Sequence, residues 1–291
     1  MENETPQIGK FKASRLLFNE SLRLLKQDTE ILLFPFYSLI FSLIALIIIV
    51  GGGLFIILGS SFITVFTNPA LLETIANSSL IITGIVLIIV TQMIDMYFKS
   101  GIIITVNERI NNGNYSLRES LDLVKKKSGK ILSWALINSS VGIILQEISN
   151  RSKLLGKIVV WFVGAAWNIT TFFMLPIIVL ENLGIRDSGK KSVSIIRKTW
   201  GEALITNVGV SLYLIVFFLL GFIPVLLAIF SGIKIFVIAS IVFMVVYSIA
   251  ITLLGSTLGT IIKVILYRYA NDESLPDSFP KELAQIAFRK K

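Results

Sequence analysis

Neither cysteine nor histidine occurs among the 291 residues. Disulfides are therefore excluded, redox compartment leaves no trace, and the thiolate and imidazole ligands on which zinc, haem and iron–sulfur sites mostly depend are missing. Charge is scarce as well. Only 15% of residues are Asp, Glu, Lys or Arg, whereas 54% are hydrophobic and the mean hydropathy is +0.82. A soluble globular chain carries about 25% charged residues, so this composition belongs to a membrane protein. No GxSxG, HExxH, phosphate loop or dinucleotide fingerprint is present, and the scattered carboxylates form no pair within one apolar segment. An enzyme is not expected, nor is a metal or a cofactor.

What the chain has in quantity is long apolar runs. A bilayer core about 30 Å thick takes about 20 apolar residues. Six stretches meet or approach that length, near 31–66, 80–98, 131–148, 158–180, 203–230 and 235–262. They predict an all-α polytopic membrane protein of six transmembrane helices. The first run follows a charge-rich segment and is too long for the apolar region of a cleaved signal, so it reads as a signal anchor. Residues 1–30 read as a cytoplasmic amphipathic helix, 31–266 as the transmembrane domain and 267–291 as a cytoplasmic tail. Asn138 and Asn168 sit in N-x-S/T context inside spans, where the sequon has no meaning for glycosylation.

Lysine and arginine set the orientation. Of the 27, 23 precede the first span, fall in loops 99–130 and 181–200, or lie from Lys263 onward; the rest are Arg151, Lys153, Lys157 and Lys234. Cytoplasmic loops are enriched in these residues, so both termini and both long loops are expected on the cytoplasmic side of the cell membrane. The net charge of +9 is accordingly a topology signal. No soluble segment is long enough for a nucleic-acid-binding domain, so no nucleic-acid partner is expected.

Between the fourth and fifth spans stands KKSVSIIRKTWGEAL, residues 190–204. On a helix, Val193, Ile196, Trp200 and Leu204 share one face, Lys191 and Lys198 lie across from it, and Lys190 and Arg197 sit at its border. This predicts an amphipathic helix near 188–202 in the membrane interface, with Trp200 at headgroup level, the cations against anionic lipid, and Gly201 as the elbow into the bilayer. SLDLVKKKSGKIL from Ser120 aligns with SVSIIRKTWGEAL from Ser192 without a gap, and places a second such helix near 116–130 with the stripe Leu117, Leu121, Val124 and Ile131. Its cations Lys125, Lys126 and Lys127 join Lys190, Lys191, Arg197, Lys198 and Trp200 as candidate contacts for anionic lipid or for an acidic protein partner. A weaker copy, SLRLLKQDTEILL from Ser21, has the stripe Phe11, Phe18, Leu22 and Leu25, and Glu30 in place of the glycine. The chain thus reads as a threefold repeat of interfacial helix plus transmembrane hairpin.

The stretch WNITTFFMLPIIVLENLG from Trp167, Ser192 with KTWGE at Lys198–Glu202, and the ending ILYRYANDESLPDSF from Ile265 resemble an uncharacterised family of six-span prokaryotic membrane proteins. That family is distantly similar to the membrane domain attached to some glycerophosphodiester phosphodiesterases. The resemblance spans nearly the whole chain and implies a six-helix α-helical fold with no known activity. No soluble catalytic domain accompanies it here, so it implies no phosphodiesterase chemistry.

Ionisable residues inside a membrane are candidate functional sites. Asp95 stands alone as an acid well within a span, and Lys99 follows one helical turn later, so the two form a candidate intramembrane polar pair or simply neutralise one another. Asn138, Asn168, Asn207, Gln92 and Gln146 are expected to make interhelical hydrogen bonds. Pro176 is expected to kink the fourth helix and free the carbonyl of Phe172. Gly51, Gly52 and Gly53 divide an apolar run that would measure about 54 Å as one helix, longer than the bilayer core. Two function classes follow. The favoured one is a non-catalytic membrane module that organises lipid or a protein partner through its basic helices; the alternative is a transporter or channel for a small solute or lipid.

Overall fold

The computed structural model describes residues 10–64, 69–198 and 215–275, which are helical with no strand. In hydrocarbon a backbone must satisfy its polar groups within the segment, which a helix does. The elements are α1 (Lys10–Gln27), a 3-10 turn (Thr29–Leu32), α2 (Leu33–Thr64), α3 (Pro69–Ile110), α4 (Leu117–Arg151), α5 (Leu154–Thr170), α6 (Met174–Glu181), α7 (Ile185–Lys198), α8 (Ile223–Ser231) and α9 (Lys234–Ala270). Residues 215–220 are also helical and turn at Gly221 into α8.

Five stretches are long and apolar enough to cross a membrane: Thr29–Gly59, Glu73–Ile110, Leu117–Arg151, Leu154–Glu181 and Lys234–Ala270. The sequence predicts six. Of its fifth run, 203–214 lies outside the described residues, and the described remainder, Ile215–Ser231, is a shorter apolar helix. The architecture is that of an all-helical chain that fits a membrane protein.

Two local expectations need correction. Pro176 does not kink a continuous helix: α5 stops at Thr170, residues 171–173 form a turn, and Pro176 occupies the third position of α6. There its missing N–H costs nothing, because the first turn of a helix has no intrahelical acceptors for its amides. The freed carbonyl is that of Thr170, which accepts a hydrogen bond of 2.6 Å from Ser192 Oγ; the same hydroxyl accepts from the Phe173 amide at 3.3 Å. The glycine triplet leaves α2 a single helix of 32 residues, longer than the bilayer core, which fits a steep tilt or an outer extension. A Cβ at Gly53 would collide with the side chain of Thr83, so the glycine lets α2 and α3 come into close contact. In the same way α4 runs through Gly129 without an elbow. Gly201 lies outside the described residues.

The aligned copies occupy equivalent positions. Ser21, Ser120 and Ser192 are each fully buried at 0% exposure, and Leu25, Val124 and Ile196, four residues on, are buried too. One residue further, Lys26, Lys125 and Arg197 are all exposed. The packing is cyclic. The start of α4 packs on α3, where Ser120 Oγ meets Thr105 Oγ1 at 2.7 Å; α7 packs on α5 and α6; and α1 packs on α9. Each unit therefore lays its first helix on the second span of the unit before, and α1 closes the ring. α3, α6 and α9 also stop alike, on left-handed Asn112, Asn182 and Asp272 at φ 62, 54 and 59. At two of these ends the closing bonds match: Gly113 N to Glu108 O with Asn112 N to Arg109 O, and Glu273 N to Arg268 O with Asp272 N to Tyr269 O. This is the paired-bond helix stop that satisfies orphan carbonyls, and Asn and Asp tolerate its backbone better than most residues.

The buried core gathers at the pole where these ends meet, from Leu24, Ile31 and Phe34 through Ile102–Val106, Val124, Ile177 and Ile196 to Ile261–Tyr267. Away from it the helices carry exposed apolar side chains, such as Phe55 (77%), Leu155 (79%) and Phe230 (86%). Such surface is stable only against hydrocarbon or another apolar body.

Candidate functional site

The cations of the predicted site divide sharply once placed. At the start of α4, Ser116 and Glu119 form a reciprocal capping box that fixes the helix and hence the direction of its basic run. Lys125 and Lys126 point outward. Lys127 donates to the carbonyl of Val179, and Lys130 donates to Asn182 O at 2.5 Å and Oδ1 at 2.9 Å. Both ammoniums thus cap the C-terminus of α6, where unpaired carbonyls concentrate negative potential.

On α7 the same division holds. Ser188, Ser192, Ile195 and Ile196 are buried against the core, while Arg186, Asp187, Lys190 and Arg197 are exposed. The apolar side, expected against the membrane, is turned onto the protein itself, because it meets Phe173, Met174 and Ile177 of the same core. Lys191 forms an ion pair of 2.6 Å with Glu181, and Lys190 stands 4.0 Å from Asp187, with both side chains about two-thirds exposed. An exposed pair at that distance contributes little. The side chain of Lys198 and all of Trp200 lie outside the described residues. Among the described candidate cations, then, Lys125, Lys126, Lys190 and Arg197 face outward, as does Lys26, whereas Lys127 and Lys191 are committed to internal partners.

Three polar knots that sequence reading missed hold the pole together. Glu181 accepts from the Tyr267 hydroxyl as well as from Lys191, joining the second unit to the third. Arg268, only 3% exposed, donates to Asn107 Oδ1 at 2.6 Å, Asn111 Oδ1 at 2.7 Å, Ser274 O at 2.7 Å and Ser274 Oγ at 2.6 Å, joining the third unit to the first. Arg109 pairs with Asp28 at 3.0 Å. The one sequence signal for these was the placing of charged and amide residues at the ends of the second spans.

Inside the spans, Lys99 Nζ reaches Asp95 Oδ2 at 2.7 Å, one turn along α3, as the spacing predicts. Asn138 Oδ1 accepts from Trp167 Nε1 at 3.0 Å, an interhelical bond beside the stacked Trp134 and Trp167 rings. Gln146 instead bonds Asn150 on its own helix. Lys263 adds a cation the sequence reading did not assign to a site: its ammonium lies 5.0 Å from the centroid of the Phe172 ring. Among the described residues no group of three or more His, Cys, Asp or Glu is placed to hold a metal ion. The arrangement concentrates positive charge on the outside of the pole and again near Lys99 and Lys263.

No curated protein and no solved structure matches the chain. A family model described as a family of unknown function, DUF6159, matches residues 79–275, from the second span to the end of the Arg268 knot. Covering most of the chain, that match makes this protein a member of the DUF6159 family of unknown function.

Proposed function

We propose that the protein is a six-span, non-catalytic protein of the prokaryotic cell membrane that organises anionic lipid at the cytoplasmic face, with both termini on that side. The observation that carries this reading is the outward row Lys26, Lys125, Lys126 and Arg197, set on helices whose other faces are buried in the protein. A cation held this way needs no internal partner and keeps its charge for the surroundings. Each basic residue close to an anionic leaflet contributes about 1 kcal/mol, and several on one rigid pole act together. These helices then lie in the membrane interface with their polar sides outward, and the apolar run near 203–230 is read from the sequence as the sixth span. The distant similarity to the membrane domain attached to some glycerophosphodiester phosphodiesterases belongs to the same proposal, without phosphodiesterase chemistry.

Changing Lys26, Lys125, Lys126 and Arg197 together to glutamine is expected to cut the anionic lipid that co-purifies with the protein, and raising salt should mimic the change, since exposed charges are screened. Lipid content that neither treatment moves would refute the lipid reading. Loss of an acidic protein at constant lipid would assign the same cations to a protein partner. Solute flux or lipid scrambling in proteoliposomes would replace the module with a transporter.

A further inference from the structure

The cations discussed so far lie at the pole, but a second group lies deeper. Along α3 the large apolar side chains are exposed as far as Ile88 and buried from Phe98; along α9 they are exposed as far as Ile249 and buried from Leu258. Lys99 and Lys263 sit just past those two boundaries, on helices that pack together. Asp95 and Lys99 keep 37% and 33% of their side-chain surface exposed, so the pair can be reached from outside, whereas Lys263 behind it is shielded from the surroundings. Asp95 balances only one of the two lysines. Lys263 forms no ion pair with a carboxylate among the described residues; its neighbours are the Phe172 ring, and Lys99 and Asp95 within electrostatic reach.

Two cations and one carboxylate leave an excess positive charge at a level where the adjoining helix surfaces are apolar. Charge at such a depth is costly, and it is commonly retained where it meets a counter-charge. A soluble anion would have to shed its water to reach this level. An amphiphile brings an anionic group already joined to hydrocarbon, which the exposed apolar lengths of α3 and α9 can accept. We propose that Asp95, Lys99, Lys263 and Phe172 form a binding site for the anionic phosphate headgroup of a lipid, with Lys263 supplying the charge that Asp95 leaves unbalanced. This deepens the lipid-organising reading and rests on it, yet it fails separately, because the four outward cations are not part of the site.

The test uses the full chain in detergent, with phosphatidylglycerol as the probe and phosphatidylcholine as the zwitterionic control, followed by native mass spectrometry after a high-salt wash. The wash strips lipid held by the exposed cations and spares a shielded contact. One phosphatidylglycerol is expected to survive on the wild type and on the glutamine variant of Lys26, Lys125, Lys126 and Arg197. Loss of one charge-assisted contact should weaken it about tenfold in Lys263→Met, and Lys263→Arg should restore it. Lys263→Met should melt no lower than the wild type, because it removes an unbalanced cation. A lower melting temperature with phosphatidylglycerol still bound would make Lys263 a structural residue and overturn the site. Equal retention of phosphatidylcholine, or displacement by inorganic phosphate, would overturn the assignment to an anionic lipid.

Discussion

Replacing Arg268 with alanine should lower the stability of the detergent-solubilised protein by about 3 kcal/mol, from the loss of a buried, packed side chain and of the hydrogen bonds that join two parts of the pole. The guanidinium is buried, and its donors reach Asn107, Asn111 and Ser274 together. Alanine leaves a cavity at the pole and the half-buried Asn107 without its donor, while the exposed Asn111 and Ser274 can turn to water. Arg268→Lys should recover little, because one ammonium cannot reproduce a planar fork that bonds both asparagines and the serine. Tryptophan fluorescence during thermal unfolding reads the effect directly. An alanine variant as stable as the wild type would mean that the join between the third unit and the first lies elsewhere.

The second large effect is expected at Glu181. Its side chain is about a quarter exposed, and it receives both the buried Tyr267 hydroxyl and the Lys191 ammonium. Glu181→Leu should cost about 2–3 kcal/mol, most of it from stranding the tyrosine hydroxyl, since the partly exposed lysine can turn to water. The cost should therefore shrink by about 1 kcal/mol when Tyr267→Phe is added, because no donor is then left unmet. A double variant whose loss equals the sum of the two single losses would show that the residues do not act as a pair.

The recurring serine-to-cation pattern was legible because it rests on local spacing. A serine, two apolar positions three and four residues on, and a cation after them recur at Ser21, Ser120 and Ser192, and in each copy the serine is buried and the cation exposed. A small hydroxyl suits this place because a helix lies directly against the preceding unit, and at Ser192 the hydroxyl also fills the gap between α5 and α6. The spacing could not say what the apolar side would meet. Periodicity separates two faces of α7, but lipid and protein reward an apolar face alike. The knots were illegible for a different reason. Arg268 and Asn107 are 161 residues apart, and Tyr267 and Glu181 are 86 apart, so no local pattern joins them. Glu181 belongs to no local motif, and Lys191 and Lys127 looked as available as Lys125 until their partners were placed.

The central claim is that the pole carrying the knots and the outward cations faces the cytoplasm, and single-cysteine labelling tests it most directly, since the chain has no cysteine to give background. Lys26, Asn114, Lys190, Asn77 and Asn150 are all exposed, so accessibility to reagent depends on the side of the membrane rather than on burial. With an impermeant thiol reagent on intact cells, cysteine at Asn77 or Asn150 should label, and cysteine at Lys26, Asn114 or Lys190 should label only after the membrane is opened. Labelling of the last three from outside would place the basic pole on the wrong face and contradict the account.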